Sequence, residues 1–285
     1  MNKETNSALY VYGFTQAGLV PDTGVSAHLP SAGIDEQHPP FFRRSGTVAA
    51  VLSRVSLSDF CEAAGEKNLQ DLAWVAPRAC RHEAVLEKVM RLGAVLPARF
   101  GTLFSSTASL EDFMRRHETE MVRFLERVSG QEEWALKGFL DQARAETEWL
   151  ARQRAEEPGR PTLSPGAAYL LEQSRRIKAR EALDDRLAAA CGALLDELNR
   201  LASEIVPRRI VARKTPDAAG EMVLNWALLL PAAAVAGFRD RIERANAEQK
   251  SGGLALEVSG PWPPYSFCPA LDKEPDLEPS SMSQK

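Results

Sequence analysis

The sequence is poor in the residues that mark the commoner chemistries. Its 285 residues include four histidines and four cysteines. Cys61, Cys80, Cys191 and Cys268 are widely scattered and form no CxxC pair. They therefore make neither a disulfide framework nor a local zinc site, and read as thiols of a reducing compartment. No GxGxxG, GxxxxGK[ST] or GxSxG occurs, so the usual phosphate loops and the nucleophile elbow are absent. His82-Glu83 resembles the start of HExxH, but no second histidine follows. The longest apolar run, 222–238, contains Asn225 and Pro231 and falls short of the roughly 20 residues of a membrane span. The N-terminus, MNKETNSALY, lacks the apolar stretch of a secretion signal. Neither sign of charge dominates: 35 Lys and Arg face 39 Asp and Glu, a formal net charge of -4 with a pI near 5.7. A nucleic-acid binder usually shows a basic excess. The pairs Arg115-Arg116, Arg175-Arg176 and Arg208-Arg209 are interleaved with acids and read as solvated helix faces. These absences together lead us to expect a cytoplasmic protein with no membrane or nucleic-acid partner, no cofactor and no metal.

What is present is an ordinary globular composition, 44% hydrophobic and 26% charged, over a length comfortable for two domains. Residues 1–7 are polar and read as disordered. LYVYGF (9–14) is aromatic and β-branched, a first strand, and GTVAAVLSRV (46–55) a second; together they suggest the centre of a sheet. Between them, 15–42 is rich in Gly, Pro, Ser and Asp and reads as a long loop with short edge pairings. SSTASLEDFMRRHETEMVRFLERVSG reads as one amphipathic helix, capped by Ser106 or Thr107 and ended by Gly130, with Leu110, Phe113, Met114, His117, Met121, Phe124, Leu125 and Val128 on one stripe. This places an N-terminal α+β domain at 8–130.

The second half has a different order. EWALKGFLD (133–141) is a strand. A helix runs from Gly166 to about Ser203, with Leu170, Ser174, Ile177, Leu187, Cys191, Leu194, Leu198 and Leu201 near its inner face. RRIVARK (208–214) and EMVLNWALLL (221–230) read as a hairpin. A helix opens at Pro231, and GLALEVSG (253–260) is a last strand. The sum is β-α-β-β-α-β, the ferredoxin-like order. The expected fold class is thus α+β with two domains, the C-terminal one ferredoxin-like over 131–267, and a disordered tail at 268–285. The absence of a low-complexity linker suggests that the two domains pack together.

The densest run of specific choices is 77–106, PRACRHEAVLEKVMRLGAVLPARFGTLFSS. Pro77 suits a first helical position. His82, Val85, Leu86, Val89 and Leu92 recur at helical spacing, and Gly93 suits a left-handed cap. In VLPARFGTLF, Leu96, Ala98 and Phe100 alternate as in a strand. Pro97 donates no ladder hydrogen bond, so the strand should be an edge or bear a bulge. Two readings of this stretch stand side by side. His82, Glu83 and Arg99 could form a small-molecule or catalytic cleft, His82 titrating near neutrality and Arg99 gripping an anion. Alternatively His82 is a partly buried helix residue and Arg99 ties loops together. Trp74, Phe100 and Phe104 fit a pocket lining or plain core packing, and His117 a satisfied core histidine. In SGPWPPYSF (259–267), three prolines stiffen a segment bearing Trp262, Tyr265 and Phe267. This suits a docking site or a strap.

Four segments together, NLQDLAWVAPRACRHEAVLEKVM, VLPARFGTLFSS, GEMVLNWALLL and SGPWPPYSF, resemble the gas vesicle protein F/L family over roughly residues 8 to 267. That resemblance implies two α+β domains, the second ferredoxin-like, and no catalysis. It implies an accessory or minor structural protein of vesicle assembly, found in the cytoplasm and at the gas vesicle. Its implied partners are the hydrophobic wall protein and other accessory proteins. No catalytic residues carry over. The candidate interaction residues are Trp74, His82, Pro97, Arg99, Phe100, Trp262 and Tyr265. They would frame a surface with apolar anchors beside the Arg99 strand and the Trp262–Tyr265 strap. F-type and L-type are not separated by these residues.

Overall fold

The computed structural model describes residues 7–21, 23–24, 28–60, 62–156, 164–210, 220–249 and 252–271. The chain is a mixture of helix and sheet and divides into two compact units, Met1–Gln131 with Trp262–Lys285, and Glu132–Pro261. From Trp262 onward the chain therefore belongs with the first unit, whereas the order of elements suggests that the second extends to 267. The expected disorder of 1–7 and of the tail falls almost wholly outside the described residues.

The first unit is built on β1 (Ser7–Gln16), whose register runs antiparallel against β4 (Val48–Ser56) from Ser7↔Ser56 to Gln16↔Val48. These are the two central strands expected. Beyond β4 lie β3 (Phe41–Ser45) and β2 (Thr23–Gly24), and on the other side of β1 lies β5 (Val95–Pro97), in the order β2-β3-β4-β1-β5. β6 (Leu103–Phe104) pairs with β1 as well, Leu9 opposite Phe104. Between β1 and β3 the described residues carry one short edge pairing, β2 on β3, and they are tied down. Ile34 and Leu29 are buried, and the Ile34 amide donates to the Tyr12 hydroxyl at 2.7 Å.

Two short helices, α1 (Leu57–Phe60) and α2 (Glu62–Gln70), lead into α3 (Leu72–Met90). α3 begins five residues before Pro77, because Asp71 caps it by accepting the Ala73 amide at 2.9 Å. Pro77 is therefore inside the helix. Just beside it the Arg78 guanidinium bonds the Trp74 carbonyl at 3.1 Å. The buried face of α3 is His82, Val85, Leu86 and Val89, as the spacing predicts. Gly93 has φ 159°, extended rather than the left-handed cap expected.

The helix expected over 106–130 is two: α4 (Thr107–Arg116), capped by Ser106 and Ser109 in a reciprocal box, and α5 (Glu118–Arg127). His117, with φ −107° and ψ 11°, leaves the helical region and breaks the ladder between them. The apolar stripe survives the break, and Leu110, Met114, Met121 and Leu125 are fully buried.

The second unit carries β7 (Gln131–Leu140), α6 (Gln142–Glu156), α7 (Pro165–Leu198), β8 (Glu204–Pro207), β9 (Glu221–Pro231), α8 (Val235–Gln249) and β10 (Leu254–Trp262). Its sheet order is β10-β7-β9-β8, the fourth strand beside the first and the third beside the second. β8 and β9 are the antiparallel pair expected, but β8 lies earlier than RRIVARK, ending at Pro207. Residues 211–214 of that segment lie outside the described residues. Leu194 and Leu198 of α7 and Phe238, Ile242 and Ala245 of α8 pack on Leu136, Leu224, Leu228 and Leu256 of the sheet. The inner face expected for α7 holds only from Leu187 on. Leu170 is 69% and Ile177 61% exposed. That part of α7 lies alongside α6, with Arg180 bonding Glu146 at 2.9 Å, and does not reach the sheet's core.

Candidate functional site

The stretch 95–104 lies along β1 as one edge strand interrupted by a turn. Gly13 faces Pro97, and the Ala98 amide donates to the Tyr12 carbonyl at 2.8 Å. The ladder resumes where the Val11 amide donates to the Thr102 carbonyl at 2.9 Å. Residues 99–101 are extruded between these bonds. Gly101, with φ 86°, makes that turn possible, and the Thr102 amide closes it on the Arg99 carbonyl at 3.1 Å. The strand is thus an edge that also bulges. Arg99 sits at the exposed tip of the turn, where its side chain makes no hydrogen bond or ion pair with the described residues.

Beneath that turn, β1 sends Tyr10 and Tyr12 to the same face two residues apart, and both rings are fully buried. Their hydroxyls require partners there. Tyr12 bonds Ser53 Oγ at 2.9 Å, and Tyr10 bonds His82 Nδ1 of α3 at 2.8 Å. His82 is 1% exposed, and its Nε2 lies 3.0 Å from the Tyr265 hydroxyl, which donates to Glu83 Oε1 at 2.9 Å. The Gly101 amide donates to Tyr10 Oη at 3.3 Å. Only one arrangement of protons satisfies every member. The Gly101 N–H donates to Tyr10, the Tyr10 O–H to His82 Nδ1, His82 Nε2–H to Tyr265, and the Tyr265 O–H to the Glu83 carboxylate. His82 is therefore the neutral Nε2–H tautomer.

The electrostatics agree. Burial pushes the His82 pKa down to about 4, with the Ala98 carbonyl pulling weakly the other way. Burial raises the Glu83 carboxyl, opposed by the Tyr265 hydrogen bond and reinforced by Glu87. Tyr265 is raised by burial and by the Glu83 charge, and Tyr10 chiefly by burial. A histidine held neutral, with both nitrogens occupied by phenols, is unsuited to proton transfer with a ligand. The network is a positioning device.

Of the candidate residues, His82, Phe100 and Tyr265 come together. The Phe100 ring is edge-on to Tyr10 and to His82, each with centroids 6.1 Å apart. Trp74 joins the same core through Phe60 at 5.3 Å, with the Arg78 guanidinium 3.9 Å over its ring. Pro97 is buried, and its carbonyl is met by the Cys268 thiol at 3.9 Å. Arg99 and the 41% exposed Trp262 stand apart. Tyr10 went unrecognised in the sequence, where LYVYGF reads only as a strand. Its signal was the inward period of two shared with Tyr12. A cavity of about 420 Å³ opens beside α3, lined by Pro30, Ser31, Ala32, Glu36, Arg81 and Ala84. Among its described lining residues the cation, Arg81, is already paired to Glu36 and bonds the Ile34 carbonyl. Among the described residues no group of three His, Cys, Asp or Glu is placed to hold a metal, and no helix is long and apolar enough to cross a membrane.

Fold and site together define a class: an α+β protein of two units whose buried polar chain joins a sheet edge, a helix and a C-terminal strap. The family described as gas vesicle synthesis protein GvpL/GvpF matches residues 8–269, and the chain belongs to that family. Gas vesicle protein L of Streptomyces sp. (strain CB03234) is 30% identical over 276 residues, 95% of this chain and 96% of that one. Gas vesicle protein L2 of Halobacterium salinarum is 22% identical, over 92% and 91% of the two chains. The crystal structure of GvpF from Anabaena sp. PCC7120 superposes with a TM-score of 0.64 at 19% identity, covering 92% of this chain and 96% of that one. GvpF from Microcystis aeruginosa gives a TM-score of 0.59 at 22% identity, covering 91% and 98%.

Proposed function

We propose that the protein is an accessory or minor structural component of gas vesicle assembly that binds the hydrophobic wall protein and other accessory proteins of the vesicle. The observation that carries this is the family match, which spans nearly the whole chain from β1 through the strap. The physical reading supports it. The conspicuous polar cluster is filled by its own hydroxyls, while Trp74, Phe100 and Trp262 offer aromatic surface of the kind that dominates interface hot spots. We take the working compartment to be the cytoplasm and the vesicle, with neither nucleic acid nor membrane as a partner. Of the relatives reported above, the one at 30% identity carries the L name, which supports an L-type assignment over the F-type of the less similar solved structures.

We also assign the second unit as a ferredoxin-like domain. Its element order is β-α-β-β-α-β once α6 and α7 are taken as one helical crossover, and its strand order places the fourth strand beside the first.

The test is a pull-down of the tagged full chain against the wall protein, paired with deletion of the gene in a vesicle-forming host. Retention of the wall protein and loss or distortion of vesicles are expected. Normal vesicles in a clean deletion, with no retention, would refute the reading.

A further inference from the structure

The strap differs in kind from everything else in the first unit. Residues 262–271 add no strand to its sheet. The amides of Tyr265, Phe267 and Leu271 bond back to Pro263, Pro264 and Pro269 at 2.7, 3.2 and 3.1 Å, so the segment carries its own turns. Pro261, Pro263, Pro264 and Pro269 have no amide to offer a ladder. Its attachments to the first unit include three that involve side chains. The Tyr265 hydroxyl is set between His82 and Glu83. Phe267 is 4% exposed, and its carbonyl accepts from Arg127 Nη2 at 2.5 Å. The Cys268 thiol lies 3.3 Å from the Pro264 carbonyl of the strap itself and packs 3.9 Å from the Pro97 carbonyl on the edge strand. Such a segment can leave as a body without breaking one strand pairing of β1, β4, β5 or β6.

We infer that residues 263–271 form a latch, fastened by the Tyr265 hydroxyl across His82 and Glu83, that opens locally while the sheet of the first unit stays folded. Closed, it occupies the His82–Glu83 pair and covers the Pro97 carbonyl of β5. Open, it leaves a hydrogen-bond donor on His82, an acceptor on Glu83 and a free carbonyl on a sheet edge. That set of groups receives an extended segment bearing an aromatic hydroxyl. The inference rests on the geometry of the first unit and stands independently of the vesicle assignment.

Amide hydrogen exchange on the full chain tests it, comparing the strap with β1 in the same sample. In the wild type the amides of Tyr265, Phe267 and Leu271 are expected to exchange at least tenfold faster than those of Tyr10 and Val11. Tyr265→Phe removes the donor to a carboxylate and should accelerate the strap amides by about tenfold or more, leaving β1 unchanged. Glu83→Ala should act alike, and Glu83→Gln, which keeps an acceptor oxygen, should restore most of the protection. Exchange of strap and β1 amides at one common rate in the wild type would overturn the inference. So would equal acceleration of both segments by Tyr265→Phe, because the strap would then open only with the whole unit. Strap rates that do not respond to Tyr265→Phe would overturn the role of the hydroxyl as the fastening.

Discussion

His82 makes the first unit sensitive to acid in a direction that its surroundings determine. Its folded pKa is about 4 against 6.5 for the unperturbed side chain, because burial penalises the imidazolium. Above about pH 6.5 both folded and unfolded chains hold it neutral. As pH falls from about 6.5 to about 4, the unfolded chain takes up a proton that the folded one refuses, and stability declines. Spread over that interval, the loss is about 3 kcal/mol. Glu83 works in the opposite sense, since a carboxyl raised by burial takes its proton more readily in the folded chain, and it offsets part of the decline. Urea unfolding of the wild type at several pH values between 7.5 and 4.5 should therefore show a falling stability. His82→Phe should be less stable at pH 7.5 yet show a flatter profile; an unchanged profile would count against the buried neutral imidazole. Arg99→Ala should change stability by no more than about 0.5 kcal/mol in the same assay, as the exposed side chain holds nothing in place. At this scale the sequence exposes His82 by its helical spacing and Tyr265 by its proline-rich setting. Their meeting, across 183 positions, is encoded in no local pattern.

Elements were legible where one face is buried and blurred where a single residue interrupts them. β1 and β4 announced themselves as runs of aromatic, β-branched and other apolar residues, and the buried stripe of α3 followed its 3.6-residue period. The start of α3 did not, since Pro77 looks like a helix opening until Asp71 is seen to cap six residues earlier. The break at His117 is invisible to periodicity because α5 continues the stripe of α4 in phase. α7 teaches the converse. Leu170 and Ile177 have core spacing, but their part of the helix lies against α6 and not on the sheet. Leu170→Lys and Ile177→Lys should accordingly leave the unfolding midpoint within about 0.5 kcal/mol of wild type, whereas Leu194→Ala should cost about 2–5 kcal/mol. Gly13 belongs to this scale too. It lies where the β1 register shifts, and a Cβ there would stand 2.7 Å from the Leu96 carbonyl oxygen and 3.2 Å from Pro97 Cα. Backbone on the facing strand cannot swing aside as a side chain can. Gly13→Ala should lose about 1–3 kcal/mol in denaturant unfolding, and a neutral result would mean that β5 is more loosely held than its ladder implies.

For the whole molecule, length and composition suggest two domains and the element order changes near 130, while the contacts divide the chain into two compact units between Gln131 and Glu132. The end of the second was hidden. SGPWPPYSF reads as a docking site or a strap, and its contacts show that the chain joins the first unit from Trp262 on. With acidic and basic residues nearly balanced, the full chain should show no salt-dependent retention of single-stranded RNA at about 0.15 M salt in a gel-shift titration. Membership of the GvpL/GvpF family rests on this same scale, since the match extends from residue 8 to residue 269 and includes both units and the strap.

The return of the strap has a consequence for the order in which the protein is made. The first unit is discontinuous in sequence, its body ending at Gln131 and its last piece starting at Trp262. A ribosome delivers chain at about 5–20 residues per second, and units fold as they emerge. The sheet of β1, β4, β5 and β6 can thus form while the second unit is still being synthesised, with the seat of Tyr265 empty for several seconds at the least. In a nascent chain of this protein that seat stays vacant until Tyr265 has been made, so the first unit is completed only after the second has been synthesised.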